Sequence, residues 1–398
     1  MGVLAGASEA SNAYSAVAGR RIEIVERWDE LATLTEAWEE LAANCGVAPF
    51  SSYYWVNAWR VSYGEKIEPR AIACWRDGIL VGLLPLGLMR RPLSNRLSWV
   101  PVTSLQLFAN DKTPFNQLLV APAYLDVLDE MLRVAVNGVP QWTVLTLENL
   151  RWDAVTAAAV QAGVELGLPI RQRSGSQSTV VDLSHGYDAY LGRCSRNFRH
   201  AIRQARRRVE AKAHQMHVDM DGRSRLLQRA LEVGSRSWKG YVGTSLAAST
   251  EGRSFLTRLH EAFAPRGEMW LLVLEIDGHD VGSLVALRRG STTYGYVMDF
   301  DEAYALLSPG RYLIDRLLEV SGAAGVARVD MLRRTPFIAR FSDDTYPLVQ
   351  VQLYRRTGLA YAVHVAEQRL QPLAEPAWNA IRGARPSRAT TTDATTDL

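Results

Sequence analysis

Two tandem α/β domains, each with a mixed (α+β) sheet, are the fold class that the 398-residue sequence predicts. Length is the first observation, since at roughly 150 residues per domain the chain exceeds one ordinary core. A repeated hairpin is the second: "RDGILVGLLPLGL" (Arg76 to Leu88) and "IDGHDVGSLVALRR" (Ile276 to Arg289) share the pattern D-G-x-x-V-G. The third is that the elements around the two copies come in the same order.

In each copy an apolar strand leads into Asp-Gly, a hairpin turn signal, and a second apolar strand follows. Before the first copy lies "DELATLTEAWEELAANC"; before the second lie "RSRLLQRALEVGSRSW" and "GRSFLTRLHEAFA", all with apolar residues near helical spacing. A strand, a helix and a strand follow each hairpin. The last two are "YLDVLDEMLRVAVNG" and "WTVLTLENL" in the first half, "GRYLIDRLLEVSGAAG" and "ARVDML" in the second. The second of these helices opens at Ser308-Pro309-Gly310, where serine and proline mark a start. Its first turn offers unpaired N–H groups and the positive end of the helix dipole, which attract phosphate.

Composition narrows the class. A hydrophobic share of 47% with 22% charged residues is that of a globular protein, and no apolar run approaches the roughly 20 residues of a membrane span. Membrane insertion is not expected. The net charge of +3 is near neutral, so attraction to nucleic acid must come from local clustering. Cys45, Cys74 and Cys194 lie far apart with no metal-ligand spacing, which argues against a disulfide scaffold or a bound metal. The start, "MGVLAGASEASNAYSAVAGRR", has no secretory-signal pattern and reads as a flexible leader, which points to the cytoplasm. The expected organisation is a leader at 1–19, domains at 20–183 and 184–372, and a polar, disordered tail at 373–398.

The order of helices, Asp-Gly hairpin, strand and phosphate-facing helix resembles the GNAT acyltransferase fold. In tandem, with "PFSSYYWVNAWRVSYG", "VGLLPL", "SPG" and a late D-x-L, the chain resembles the cellulose-biosynthesis-type (CelD/BcsL-like) GNAT proteins, relatives of the FemABX aminoacyltransferases. The resemblance covers roughly residues 20 to 370 and rests on order and spacing, not on one motif. It implies a donor whose pantetheine lies in a splay between two strands. Its pyrophosphate then sits on a turn of the form [RQ]-x-x-G-x-[GA]. Here Ala305 to Gly310 occupies that turn, with Ser308 in place of the first glycine and no arginine or glutamine ahead of it. The donor site expected is Ser308, the N–H groups near Gly310, Arg311 and Tyr312, and the Arg311 charge. Pro309 removes one N–H from that cradle.

The matching turn of the first half, "FANDKTPFNQLLVAPAYLDVL", has no glycine, so this half is read as a recognition or structural unit. Its Tyr54 and Trp55 are candidates for an acceptor pocket or for core, and Asn110, Asp111 and Asn116 for acceptor contacts or turns. In the second half, alternation puts Tyr294, Tyr296, Met298 and Phe300 on one strand face and Gly295, Val297 and Asp299 on the other. Asp299 is the candidate general base, because an attacking amine must be neutral, and Asp301 is its deputy. Tyr296 is a candidate acid or oxyanion donor by the resemblance. Asp330, at the end of the next strand, faces the same region. The resemblance also implies an acceptor rim of Trp238, Lys239 and Tyr241.

"GRCSRNFRHAIRQARRRVEAKAH" (Gly192 to His214) sets Arg196, Arg199, Arg203, Arg206 and Arg207 on one helical stripe with few acidic partners. Arg199 and Arg203 are counted with the donor site. An anion is expected there: the phosphates of coenzyme A, a tRNA acceptor stem, or an anionic acceptor.

The expected function is transfer of an acyl group from acyl-CoA to an amine or hydroxyl of a small molecule by direct attack. The alternatives are aminoacyl transfer from aminoacyl-tRNA in peptide or natural-product biosynthesis, with tRNA as a partner, and a catalytically degenerate pair acting as a binding module.

Overall fold

A computed structural model describes residues 13–17, 19–64, 66–92, 99–110, 112–356 and 361–365. The tail at 373–398, residues 1–12 of the leader and Asp111 lie outside them. Ala13–Val17, counted with the leader, is a strand (β1) that pairs antiparallel with β2 (Arg20–Val25).

The first half continues with helices α1 (Trp28–Thr33), α2 (Thr35–Asn44) and α3 (Tyr53–Tyr63). Strands β3 (Glu68–Pro69), β4 (Ala71–Arg76), β5 (Ile79–Leu84), β6 (Leu86–Pro92), β7 (Pro101–Leu107) and β8 (Leu119–Val120) follow. Then come α4 (Val127–Gly138), β9 (Val144–Arg151), α5 (Ala154–Glu165) and the long β10 (Ile170–Asp182).

The second half opens with α6 (Gly186–Arg193), α7 (Arg196–Glu210) and β11 (His214–Asp219). Helices α8 (Leu226–Arg236), α9 (Trp238–Tyr241) and α10 (Thr250–Phe263) precede strands β12 (Met269–Ile276), β13 (His279–Arg289) and β14 (Thr292–Phe300). The chain then makes α11 (Pro309–Ala323), β15 (Arg328–Asp330) and β16 (Thr345–Tyr354).

The two hairpins are the same object. In both, Asp-Gly adopts the left-handed backbone of a tight turn, with φ of 49° and 80° at Asp77 and Gly78 and 51° and 78° at Asp277 and Gly278. In both, a bulge falls just after the pairs Cys74↔Gly82 and Leu274↔Gly282. The last glycine of D-G-x-x-V-G lies under the helix that follows. A Cβ on Gly82 would stand 2.7 Å from Met131 Sδ of α4, and one on Gly282 would stand 3.0 Å from Leu313 Cδ1 of α11. The motif therefore encodes turn, bulge and helix seat together.

The halves share one sheet of eleven strands, ordered β11-β12-β13-β14-β15-β10-β16-β9-β7-β6-β3. β16 inserts between β10 and β9, so the last strand of the second half completes the sheet of the first. Among the described residues, three large cores stand beside a small cluster of Val102, Val144 and Tyr354. One lies beneath α4 and α5, one beneath α6, α7 and α11, and one between the halves, where Phe50 and Trp55 meet Phe255 and Tyr294.

Among the described residues, no helix is long and apolar enough to cross a membrane, and no group of His, Cys, Asp or Glu is placed to hold a metal.

Candidate functional site

In the second half, β14 and β15 run parallel only over Thr292↔Arg328, Thr293↔Val329 and Tyr294↔Asp330. Past Tyr294 the strands part, and α11 starts beside the gap. Ser308, its N-cap, has φ +59° and ψ +49°, a left-handed backbone that glycine adopts without Cβ strain. Pro309 has no N–H, and Tyr312 N–H donates to the Ser308 carbonyl at 3.2 Å, so Tyr312 is not part of an anion cradle. Gly310 and Arg311 keep their N–H groups without an intrahelical acceptor. Gly310 is required for contact with β14: a Cβ there would stand 3.3 Å from Met298 Cε.

Cations gather at this helix end. Arg208 of α7 donates to the Leu306 carbonyl (3.1 Å) and to Ser308 Oγ (3.2 Å). Burial, then the nearby charges of Arg340 and Arg208, push the Arg311 guanidinium below its ordinary pKa. Like charges brought together at a helix N-terminus favour an anion between them. Arg208 lies off the arginine stripe and a hundred positions from Ser308, so sequence spacing gives no sign that α7 crosses the start of α11.

The stripe itself divides. Arg199 donates to the carbonyls of Gly192 (3.2 Å) and Cys194 (2.5 Å), closing the end of α6. Arg206 ion-pairs with Asp315 (2.5 Å) and Glu319 (3.2 Å) of α11 and donates to Tyr187 Oη (2.9 Å). The acidic partners missing from α7 are supplied by α11. Arg196, Arg203 and Arg207 remain exposed.

Asp299, 3% exposed, lies near the end of β14. It accepts from Ser245 Oγ (3.3 Å) and Ser237 Oγ (3.4 Å), and Lys239 Nζ stands 3.3 Å away while donating to the Met298 carbonyl at 2.6 Å. Serines 237 and 245 were not anticipated; as N-caps of short turns they resemble ordinary helix starts in sequence. Asp301 accepts from Ala303 N (3.0 Å) as the cap of the turn Glu302–Leu307, with Arg236 Nε at 3.7 Å.

The expected alternation of β14 does not hold. Val285 pairs with Val297 but Ala286 pairs with Gly295, so Tyr296 is the extra residue of a bulge. Beyond it the faces swap: Tyr294, Tyr296 and Val297 pack into the core between the halves, whereas Met298 packs into the core beneath α11. Tyr296 Oη donates to the Lys112 carbonyl (3.0 Å) of the first half. Trp55 is fully buried against Phe50, Phe255 and Tyr296 and lines no acceptor pocket. Tyr54 lies under Arg266, whose guanidinium carbon is 4.0 Å from the ring centroid and which donates to Tyr54 Oη at 2.6 Å.

Asp330 is likewise internal. It accepts from Ser178 Oγ, Tyr346 Oη (2.5 Å) and Leu332 N (2.9 Å), tying β15 to β10 and β16. Burial pushes its carboxyl above the usual range. Trp238 and Tyr241 are on the surface, as a rim requires.

Residues 196–346 match the family described as acetyltransferase (GNAT) domain. Among solved structures the chain is similar to FemX, at 13% identity over 85% of this chain and 97% of that one, with a TM-score of 0.57. It is similar to L-PGS from Bacillus licheniformis at 13% identity, 84% and 95% coverage and a TM-score of 0.52. The C-terminal domain of a putative lysylphosphatidylglycerol synthetase from Agrobacterium fabrum gives 11%, 84%, 95% and 0.52. At these identities the likeness is one of fold, and it spans both halves. No curated protein matches.

Proposed function

Starting from a chain that carries a GNAT acetyltransferase domain over residues 196–346, we propose that it moves an acyl group from acyl-CoA to a small-molecule acceptor by direct attack. The observation that carries this reading is the start of α11 beside the gap between β14 and β15, with Arg208 and Arg311 brought to it. In this reading the donor pyrophosphate takes the Gly310 and Arg311 N–H groups and the two guanidinium charges. The pantetheine arm runs into the gap. Asp299, near the end of β14 and past the point where the strands part, receives the proton that the attacking group gives up. Lys239 and the two serines hold that carboxylate in place.

Isothermal titration with acetyl-CoA tests the donor. Binding is expected, and Arg311→Ala or Arg208→Ala should each weaken it by about tenfold or more, the loss of a charge-assisted contact. Absence of acetyl-CoA binding together with binding of charged tRNA would replace this donor by the second reading, aminoacyl transfer. That reading is favoured by one observation, the exposed Arg196, Arg203 and Arg207 on α7. A tRNA contact predicts a log–log salt slope of several units that becomes shallower in the Arg203→Ala/Arg207→Ala variant; coenzyme A, with few phosphates, predicts a shallow slope throughout.

A further inference from the structure

The edge of a sheet is a row of unpaired donors and acceptors, and proteins ordinarily blunt it. Among the described residues, three of the four sheet edges are blunted: β3 and β8 are two residues long, β3 ending in Pro69, and β1 carries a bulge between Ala13 and Ser15. The edge at β11 is not. It runs six residues in unbroken register with β12 and holds no proline and no acidic or basic residue other than histidine from His214 to Val218. Among the described residues it has no backbone partner on its outer side, and His214, Gln215 and Val218 are exposed.

The first half shows what such an edge accepts. There β2 takes the place that β11 takes in the second half: each pairs with the strand entering the Asp-Gly turn, Arg20↔Arg76 matching His214↔Ile276. Each also follows a carbonyl that accepts from the turn aspartate, Gly19 from Asp77 N (2.8 Å) and Ala213 from Asp277 N (2.7 Å). The outer side of β2 is covered by antiparallel β1, through Val17↔Arg20 and Ser15↔Ile22. Helix α7 ends at Glu210, just before β11, so the position that β1 fills has no local strand in the second half. Because the Ala213 carbonyl turns to β12, alternation turns the backbone groups of Gln215 and His217 the same way and those of His214, Met216 and Val218 outward.

This parity fits a second copy of the same strand. An antiparallel copy related by a two-fold axis through Met216 sets His214, Met216 and Val218 opposite Val218, Met216 and His214, and each pair can exchange two backbone bonds. Moving the axis to Gln215 or His217 leaves only two such pairs within the strand. The two-fold keeps every side chain on its own face, so the two Met216 side chains meet beside the core beneath α11, against which Met216 already packs, and Gln215 meets His217 on the other face. No carboxylate, lysine or arginine of the strand opposes its like. We infer that this edge is a self-association surface: two copies of the chain pair through β11, antiparallel about Met216, and join their eleven-stranded sheets into one.

Sedimentation equilibrium of the full chain tests it. A monomer–dimer equilibrium is expected with a dissociation constant of about 1–100 μM, the range of a small, single-strand contact. Met216→Pro deletes an outward N–H and no bond to β12, so it should weaken dimerisation by about tenfold or more while the folded monomer is kept, as thermal unfolding will report. Met216→Lys and Met216→Glu each set like charges face to face, and each alone should be monomeric. An equal mixture of those two variants should dimerise again, because the axis through Met216 then sets Lys against Glu. A chain that is monomeric at about 100 μM, a dimer that survives Met216→Pro in a folded chain, or a Lys/Glu mixture that stays monomeric would overturn the inference.

Discussion

Each half has a place where two parallel strands part, and the two places have different fates. In the first half β7 and β9 pair over Ser104↔Val144 to Gln106↔Thr146, and then β7 leaves. Its own loop moves into the vacated position: Asn116 bridges to Leu150 in parallel, with Asn116 N donating to the Asn149 carbonyl (2.8 Å) and Arg151 N to the Asn116 carbonyl (3.1 Å). The Asn116 side chain adds a bond to the Glu148 carbonyl at 2.9 Å. In the second half, among the described residues, no such backbone plug stands beside β15. The same hairpin, bulge and helix seat therefore support two kinds of domain. What separates them is whether the backbone edge exposed by the splay is satisfied by the chain itself.

The largest effect expected from this contrast is the presence or absence of a whole site. Titration with acetyl-CoA should give one site per chain, since the edge of the first half is already paired with Asn116; a stoichiometry of two would erase the distinction.

The next concerns the helices seated on the two hairpins. α11 is clamped by Arg206 on Asp315, which is 2% exposed, whereas α4 carries the exposed pair Arg133–Asp129 beside a half-buried pair of Glu130 with Arg20 of β2. Arg206→Ala strands a buried carboxylate and should cost about 3–5 kcal/mol in denaturant melts, while Arg133→Ala should cost under about 0.5 kcal/mol. Similar losses in the two variants would show that α11 is not specially held.

Smallest is the glycine under each helix. Gly82→Ala and Gly282→Ala should each destabilise by about 1–3 kcal/mol through overpacking. The long, unbranched Met131 yields more readily than Leu313, which lies one turn from Pro309. Only Gly282→Ala should weaken acetyl-CoA binding, because it alone presses on the start of α11; an equal effect from Gly82→Ala would mean that strain at α4 reaches α11 through the core and sheet that the halves share.

Much of the fold was legible because D-G-x-x-V-G concentrates three structural demands in six residues, and each demand excludes most other residue types. The candidate donor site was legible at Ser308 and Gly310 for the same reason: a helix start is written locally. Features set by distant partners were not. The neutralising partners of Arg206 lie more than a hundred positions away, so the stripe on α7 reads as uncompensated until α11 is placed against it. The bulge at Tyr296 shifts the side-chain period by one residue, and nothing in "TTYGYVMDF" marks the slip. Trp55 and its aromatic neighbours look the same in sequence whether they line a pocket or join two halves.

The insertion of β16 between β10 and β9 has a consequence for biosynthesis. When β10 leaves the ribosome, its partner has not yet been made, and more than 160 residues, on the order of ten seconds or more of elongation, separate the two. Were the first half to fold in that interval, β9 and β10 would present unpaired edges where β16 belongs, a template for pairing with another nascent chain. Completion of the first half's sheet therefore waits for β16. The chain is a candidate client of chaperones that shield open strand edges, even though its two halves look like independent copies of one domain.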